Sequence, residues 1–287
     1  MPTGWHRWQS SGYWVVPASV ELLMTVIGRV GVWQPGQRFA WRGHSNANHT
    51  LTSSLQREPP ATNDEDEMRR REDVTIRDAR AWGLGVSRHG LLDDLQLLAD
   101  LQHHGVPTRL VDVTSNPMTA LWFACAYNTD RDGLLLAINT SGWREIVPGE
   151  APTTWADMGG PGARAGTTRR AALADGSPYV LRVPEPNARM SAQEGYFISG
   201  ALPSGDSARG PIEAVRISYS PRRVVGPLDL LKSPVSPSDE HLPFVAIRVR
   251  SHLKPRIIEA LATTFNRTAG TLFPDYQGFS AAVRSGR

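Results

Sequence analysis

The sequence predicts an α+β fold, a mixed and mostly antiparallel β core flanked by helices. Three observations carry that expectation. Four strand-like runs follow one another at 179–183, 195–199, 215–218 and 244–249. Helices are indicated at 18–32 and 91–104 by apolar stripes at helical spacing, and at 117–127 and 254–265 by a proline near the start. The 287 residues, 40% of them hydrophobic, are enough to bury a substantial core and read as a single domain over 1–287.

In the first helix, 18–32, Ser19 is a candidate N-cap and Leu22, Leu23, Val26, Ile27 and Val30 recur at helical spacing. Gly36 breaks the pattern before a strand at 38–43, on which Ala40 and Arg42 share one face while Phe39 and Trp41 take the other. Residues 59–72 are highly charged with little apolar content, which predicts a solvated loop leading into a helix that ends near Trp82. In the helix at 91–104, Leu91, Leu95 and Leu98 form a buried stripe that Gln102 continues, so this glutamine needs hydrogen-bond partners on the apolar side. Gly105 and Pro107 end that helix.

A strand at 109–114 then places Asp112 and Thr114 on the side of Leu110. Asn116 caps the next helix and Pro117 starts it, because proline at the first helical position has no donor to lose. Ala120, Leu121, Phe123, Ala124 and Cys125 make that helix part of the core. A buried strand follows at 134–138. Residues 141–177, rich in Gly, Pro, Thr and Ala without a sustained period, predict a long loop or insertion.

Composition narrows the function classes. With 31 basic and 28 acidic residues the net charge is +3, too small an excess to argue for a nucleic-acid surface. Cys125 is the lone cysteine, which leaves no intramolecular disulfide and fits a reducing, cytoplasmic setting. The N-terminal residues have no apolar run of signal-peptide type, and no later stretch approaches the ~20 apolar residues that span a bilayer, so no membrane partner is expected. Trp82-Gly-Leu-Gly85 lacks the third glycine of a dinucleotide loop, and Gly-x-Ser-x-Gly is absent, which disfavours nucleotide kinase, Rossmann and serine hydrolase chemistry. His103 and His104 point about 100° apart on a helix and suit joint metal ligation poorly. No metal site is expected.

Three segments hold the polar residues that could carry chemistry. Arg42-Gly43 at a strand end can offer a planar guanidinium to a phosphate or carboxylate, with Gly43 letting a ligand approach the backbone; the alternative is an arginine paired with a buried acid, Asp112 being the natural partner. Residues 108–116 place Arg109, Asp112, Thr114 and Ser115 just before a helix N-terminus, which favours anions, although one of Thr114, Ser115 and Asn116 must serve as the cap. A strand starting near Gln193 turns Gln193, Gly195 and Phe197 one way and Glu194 and Tyr196 the other, so just one of Gln193 and Glu194 easily enters a cleft.

Phe39-Ala-Trp-Arg-Gly-His44, the block from Gln102 through Val-Pro-Thr-Arg109 to Ser115, Asn116 to Ala124, Arg189 to Phe197, and Leu272-Phe-Pro-Asp275 together resemble the FRG domain family. That family's name records a motif, not an activity. Arg42-Gly43, Val113-Thr114-Ser115 with Ala120-Leu-Trp-Phe-Ala124, and Gln193-Glu194-Gly195 are also similar in order to mono-ADP-ribosyltransferases of the arginine-serine-glutamate type. The second resemblance implies an ADP-ribosyltransferase-like fold and an NAD-dependent transferase. In it Arg42, Gly43, Thr114 and Ser115 bind NAD, and Glu194 and Gln193 are catalytic. Gln102, His103, Arg109 and Asp112 complete the cleft, and the acceptor is a protein or nucleic acid. This chain departs from that pattern at the third block, which reads Gln-x-Gly where Gln-x-Glu is expected. Two alternatives remain beside it. One is a noncatalytic module of phage defence or stress response that binds nucleic acid or another anionic ligand. The other is a buried network of Arg42, Asp112 and Gln102 that only holds segments together.

Overall fold

The computed structural model describes residues 5–8, 12–32, 36–87, 90–148, 168–184, 186–203, 212, 214–217 and 244–284. Its main sheet orders the strands β1 (Trp5–Trp8), β2 (Gly12–Val15), β11 (Phe244–Val249), β7 (Gly133–Asn139), β3 (Phe39–His44), β6 (Val111–Thr114), β10 (Gly195–Ser199), β9 (Tyr179–Leu181) and β8 (Arg144–Ile146). Neighbours are antiparallel except at β2 with β11 and β9 with β8, which are parallel. The architecture is therefore the mixed, mostly antiparallel sheet flanked by helices that the sequence predicts. β4 (Val86–Ser87) and β5 (Gly90–Leu91) pair apart from it.

Strand register decides where the site lies. Trp41 pairs with Thr114, Thr114 with Gly195, and Asp112 with Phe197, so these side chains share one face of the sheet. Over one half of that face, α1 (Val20–Val32), α5 (Pro117–Cys125) and α8 (Lys254–Thr263) pack on Trp41, Ala137 and Ile247. Over the other, α3 (Glu65–Ala81), α4 (Asp94–His103) and α6 (Thr168–Leu173) pack near Tyr179, Leu181 and Phe197. Between the two helical groups β6 and β10 are left partly uncovered. The opposite face buries Ala40, Val113, Ile138 and Ile198 beneath Ala47, Leu51, Ile212 and Val215.

Local chemistry sets several boundaries. Ser19 Oγ accepts from the Leu22 amide, and Asn116 Oδ1 from the Met118 amide, so both predicted caps hold. At the end of α4, Gly105 has φ +85, a left-handed turn that glycine adopts without penalty.

Other expectations need correction. Leu91 belongs to β5, and α4 starts after Asp93, whose carboxylate accepts from the Leu95 amide. Arg109 and Leu110 precede β6 instead of lying on it. The region at 141–177 is not all loop: it contains β8, whose apolar end at Ile146 joins the core, and α6, which buries Ala172 and Leu173, while 149–167 lie outside the described residues. No strand forms at 214–217, and Ser218 lies outside the described residues. The charged run at 59–72 is not simply solvated. Its later part is α3, and Glu72 there is buried.

Candidate functional site

The opening between the helical groups is a cleft of about 410 Å³. Its floor is β6, where Asp112 and Thr114 alternate with the buried Val111 and Val113. Gln102 and His103 come from the last turn of α4, while Thr119, Ala120 and Phe123 come from α5. Arg189 and Gln193 come from α7 (Ala188–Ala192) and its C-cap. Phe273 closes the far side, just after α9 (Ala269–Leu272).

Arg42 reaches this cleft through a break in the sheet. β3 and β6 share one paired position, Trp41 with Thr114, and beyond it Arg42 Nη1 donates to the Asp112 carbonyl at 2.7 Å. The same nitrogen lies 3.5 Å from Asp112 Oδ2. Gln102 Nε2 donates to that Oδ2 at 2.9 Å and to the Leu110 carbonyl at 3.1 Å, and Thr108 Oγ1 donates to Gln102 Oε1. The glutamine expected to need partners on the apolar face thus finds three. They fix its amide orientation and, through it, the rotamer of Asp112.

Electrostatics follow from this crowding. Burial, and then the Arg42 charge, push the half-buried His44 down to about 3, so its imidazole is neutral. His103 is held below its ordinary value by burial first and by Arg189 next. Among the described residues, no three His, Cys, Asp or Glu side chains gather as a metal site.

The structure brings together Arg42, Gly43, Gln102, His103, Asp112, Thr114 and Gln193. Three other candidates lie elsewhere. Arg109 does not line the cleft: its guanidinium is buried against Glu72 at 2.7 Å and Glu65 at 3.0 Å. Ser115 is exposed, and its amide and hydroxyl donate to the Glu194 carbonyl at 3.1 and 3.5 Å. Glu194 does not belong to a strand. It has φ +50 in the turn between α7 and β10, and its Oε1 accepts from Asn116 Nδ2 at 2.8 Å and Arg267 Nη2 at 2.6 Å.

Gly43 lines the cleft for a different reason from ligand approach. A Cβ there would lie 1.8 Å from the Ala120 carbonyl oxygen and 2.7 Å from the Ala124 amide nitrogen. The glycine lets α5 lie directly on β3.

Residues 272–275, which the sequence offered only as part of a family pattern, prove to be a strap across the cleft. Gln193 Nε2 donates to the Leu272 carbonyl at 2.9 Å, and Arg189 holds Asp275 with two bonds of 2.8 and 3.0 Å while its guanidinium sits 5.0 Å from the Phe273 ring centre. Gln193 and Glu194 therefore fasten the C-terminal segment to the sheet. The signal for Arg189 and Phe273 was their presence in two separated polar-aromatic blocks, but nothing in the sequence paired those blocks.

The family model of the FRG domain matches residues 37–133, from just before β3 to the start of β7. The chain carries an FRG domain. The matched span contains Arg42, Gln102, Asp112 and Thr114, whereas Arg189, Gln193, Glu194 and the strap lie outside it. No curated protein and no solved structure matches the chain. No helix among the described residues is long and apolar enough to cross a membrane.

Proposed function

We propose that the FRG cleft binds NAD and that the protein is an NAD-dependent ADP-ribosyltransferase acting in a reducing, cytoplasmic setting on a protein or nucleic-acid acceptor. The observation that carries this reading is the meeting of Arg42 and Thr114 in a cleft that is also lined by the Phe123 and Phe273 rings. Arg42 would face the pyrophosphate, because a planar guanidinium suits phosphate oxygens, while Arg189, whose Nε and Nη2 are held by Asp275, would add positive charge nearby. Phe123 and Phe273 would pack on the nicotinamide ring. Thr114 would shape the floor without donating, since its hydroxyl proton is already given to the Gln193 carbonyl at 2.7 Å.

A second reading has a specific observation behind it. The Glu194 carboxylate is engaged by Arg267 and Asn116 outside the cleft, so the acid that the transferase resemblance would use is not presented to a ligand there. A noncatalytic module for an anionic ligand, in phage defence or stress response, accounts for that placement. Calorimetric titration with NAD, ADP-ribose and short RNA, on the wild type and Arg42→Ala, separates the two. Arg42-dependent NAD binding supports the proposal; binding of RNA alone, weakened by salt, replaces it with the second reading.

A further inference from the structure

We infer that Asp112, not Glu194, is the carboxylate that faces the reacting carbon of the bound nucleotide. The inference rests on the NAD reading above. Asp112 is the one carboxylate among the described residues that lines the cleft. Its two oxygens are treated differently by the fold. Oδ2 is anchored by Gln102 at 2.9 Å and lies 3.5 Å from Arg42, whereas no hydrogen bond to Oδ1 forms among the described residues and the side chain is 60% exposed. Anchoring one oxygen fixes the group and leaves the other free to meet a ligand in the cleft that Asp112 lines. That posture stabilises positive charge developing at a fixed place, and it requires no reorganisation during reaction.

The anchor is itself built. Gln102 is held by Thr108 on its oxygen and by the Leu110 carbonyl on its nitrogen, and Arg42 is held by the Asp112 backbone. An acid that merely sealed a surface would not need two further residues to set its rotamer. All of these positions lie inside the span matched by the FRG model, and Glu194 lies outside it.

The step balances without an oxidant or reductant. The bond between the nicotinamide nitrogen and the ribose C1′ breaks, and its electron pair stays on nitrogen and neutralises the pyridinium. Positive charge develops on C1′ and the ring oxygen opposite Asp112 Oδ1. An acceptor oxygen or nitrogen, or water, forms the new bond to C1′ and releases its proton to solvent. The products are ADP-ribosyl acceptor, nicotinamide and one proton.

The test measures nicotinamide release and NAD affinity on the full chain, with lysate protein, RNA, DNA or water as acceptor. Asp112→Asn is expected to lower release by ~100-fold or more, the scale of losing one charge-stabilising group, while the NAD Kd moves less than about threefold. Asp112→Ala should lose release similarly and regain part of it with added formate, a rescue that a merely structural aspartate does not show. Melting temperatures of both variants identify any loss due to unfolding. The inference is overturned by wild-type release in Asp112→Asn, by loss of release in Glu194→Gln with Asp112→Asn spared, or by a wild type that binds NAD and releases no nicotinamide with any acceptor. A wild type that does not bind NAD instead removes the reading beneath it.

Discussion

Two arginine–carboxylate pairs involve the two ends of the segment 109–112, and they differ in burial. In one, Arg109 and Glu72 are 2% and 1% exposed and joined at 2.7 Å, with Glu65 and Arg169 adding charge-assisted bonds at 3.0 and 3.1 Å. In the other, Arg42 and Asp112 are 31% and 60% exposed, and their closest side-chain atoms are 3.5 Å apart. The buried pair belongs to a cluster of four charged side chains, two arginines and two glutamates, with no access for a ligand. The open pair leaves a carboxylate oxygen and a guanidinium edge available. Pairing an arginine with an acid therefore says little by itself; burial and the number of charged partners separate the closed pair from the open one.

The largest effect should come from breaking the buried pair. Arg109→Ala leaves Glu72 buried with Arg169 as its remaining cation, and the expected loss is about 3–5 kcal/mol of unfolding free energy. Urea denaturation measures it. A loss below ~1 kcal/mol would put Arg109 in the same class as an exposed pair and erase the contrast.

Acid should act on the two regions through different groups. On the buried side, burial raises the Glu65 carboxyl, but the Arg109 charge and the hydrogen bond from the Leu202 amide outweigh it and hold the group below its ordinary 4.5. Its contribution is present above that value and is lost as pH falls through the lower folded value. Next to the open pair, His44 is pushed down to about 3, first by burial and then by Arg42. Between 6.5 and about 3 the unfolded chain takes up a proton that folded His44 refuses, so stability is complete above 6.5 and declines as pH falls through that window. Melting curves from pH 7 to 3 should therefore be flatter than the wild type's from 6.5 downward in His44→Gln and flatter only below 4.5 in Glu65→Gln. A variant whose curve parallels the wild type assigns its acid sensitivity to another group.

What the sequence could reveal of these two regions follows from how local each signal is. The Asn116-Pro117 start, the Gly105 stop and the Gln102 partner problem involve neighbours within a turn or two, and each is visible as written. The place of Arg109 is not legible, because its acid lies 37 residues earlier, inside a run whose many charges hide the one that is buried. Strand alternation, the signal available for Glu194, holds only within a strand; a left-handed residue at the helix-to-strand turn sends its side chain to Arg267 instead. The strap was illegible since Arg189 and Asp275 are 86 residues apart and neither block is amphipathic enough to announce a contact. Likewise, β8 and α6 lie in a stretch whose glycines and prolines mask two short segments ordered by tertiary packing.

The smallest change in stability, and the one that best sharpens the contrast, is expected at the open pair. Arg42→Ala removes a bond to the Asp112 carbonyl and a loose ion pair, and water can replace both because Asp112 is already exposed. The unfolding free energy should fall by less than about 1 kcal/mol. Ligand binding should suffer more: losing one charge-assisted contact to a phosphate is worth ~1.5–3 kcal/mol, or roughly 10- to 100-fold in Kd. Arg42→Lys should recover little of that, because an ammonium cannot reproduce a planar two-point contact. Thermal melts with and without NAD read both quantities on the same sample. If Arg42→Ala instead unfolds the protein as readily as Arg109→Ala while the remaining folded fraction binds NAD normally, then both arginines are structural and the cleft's cation is Arg189.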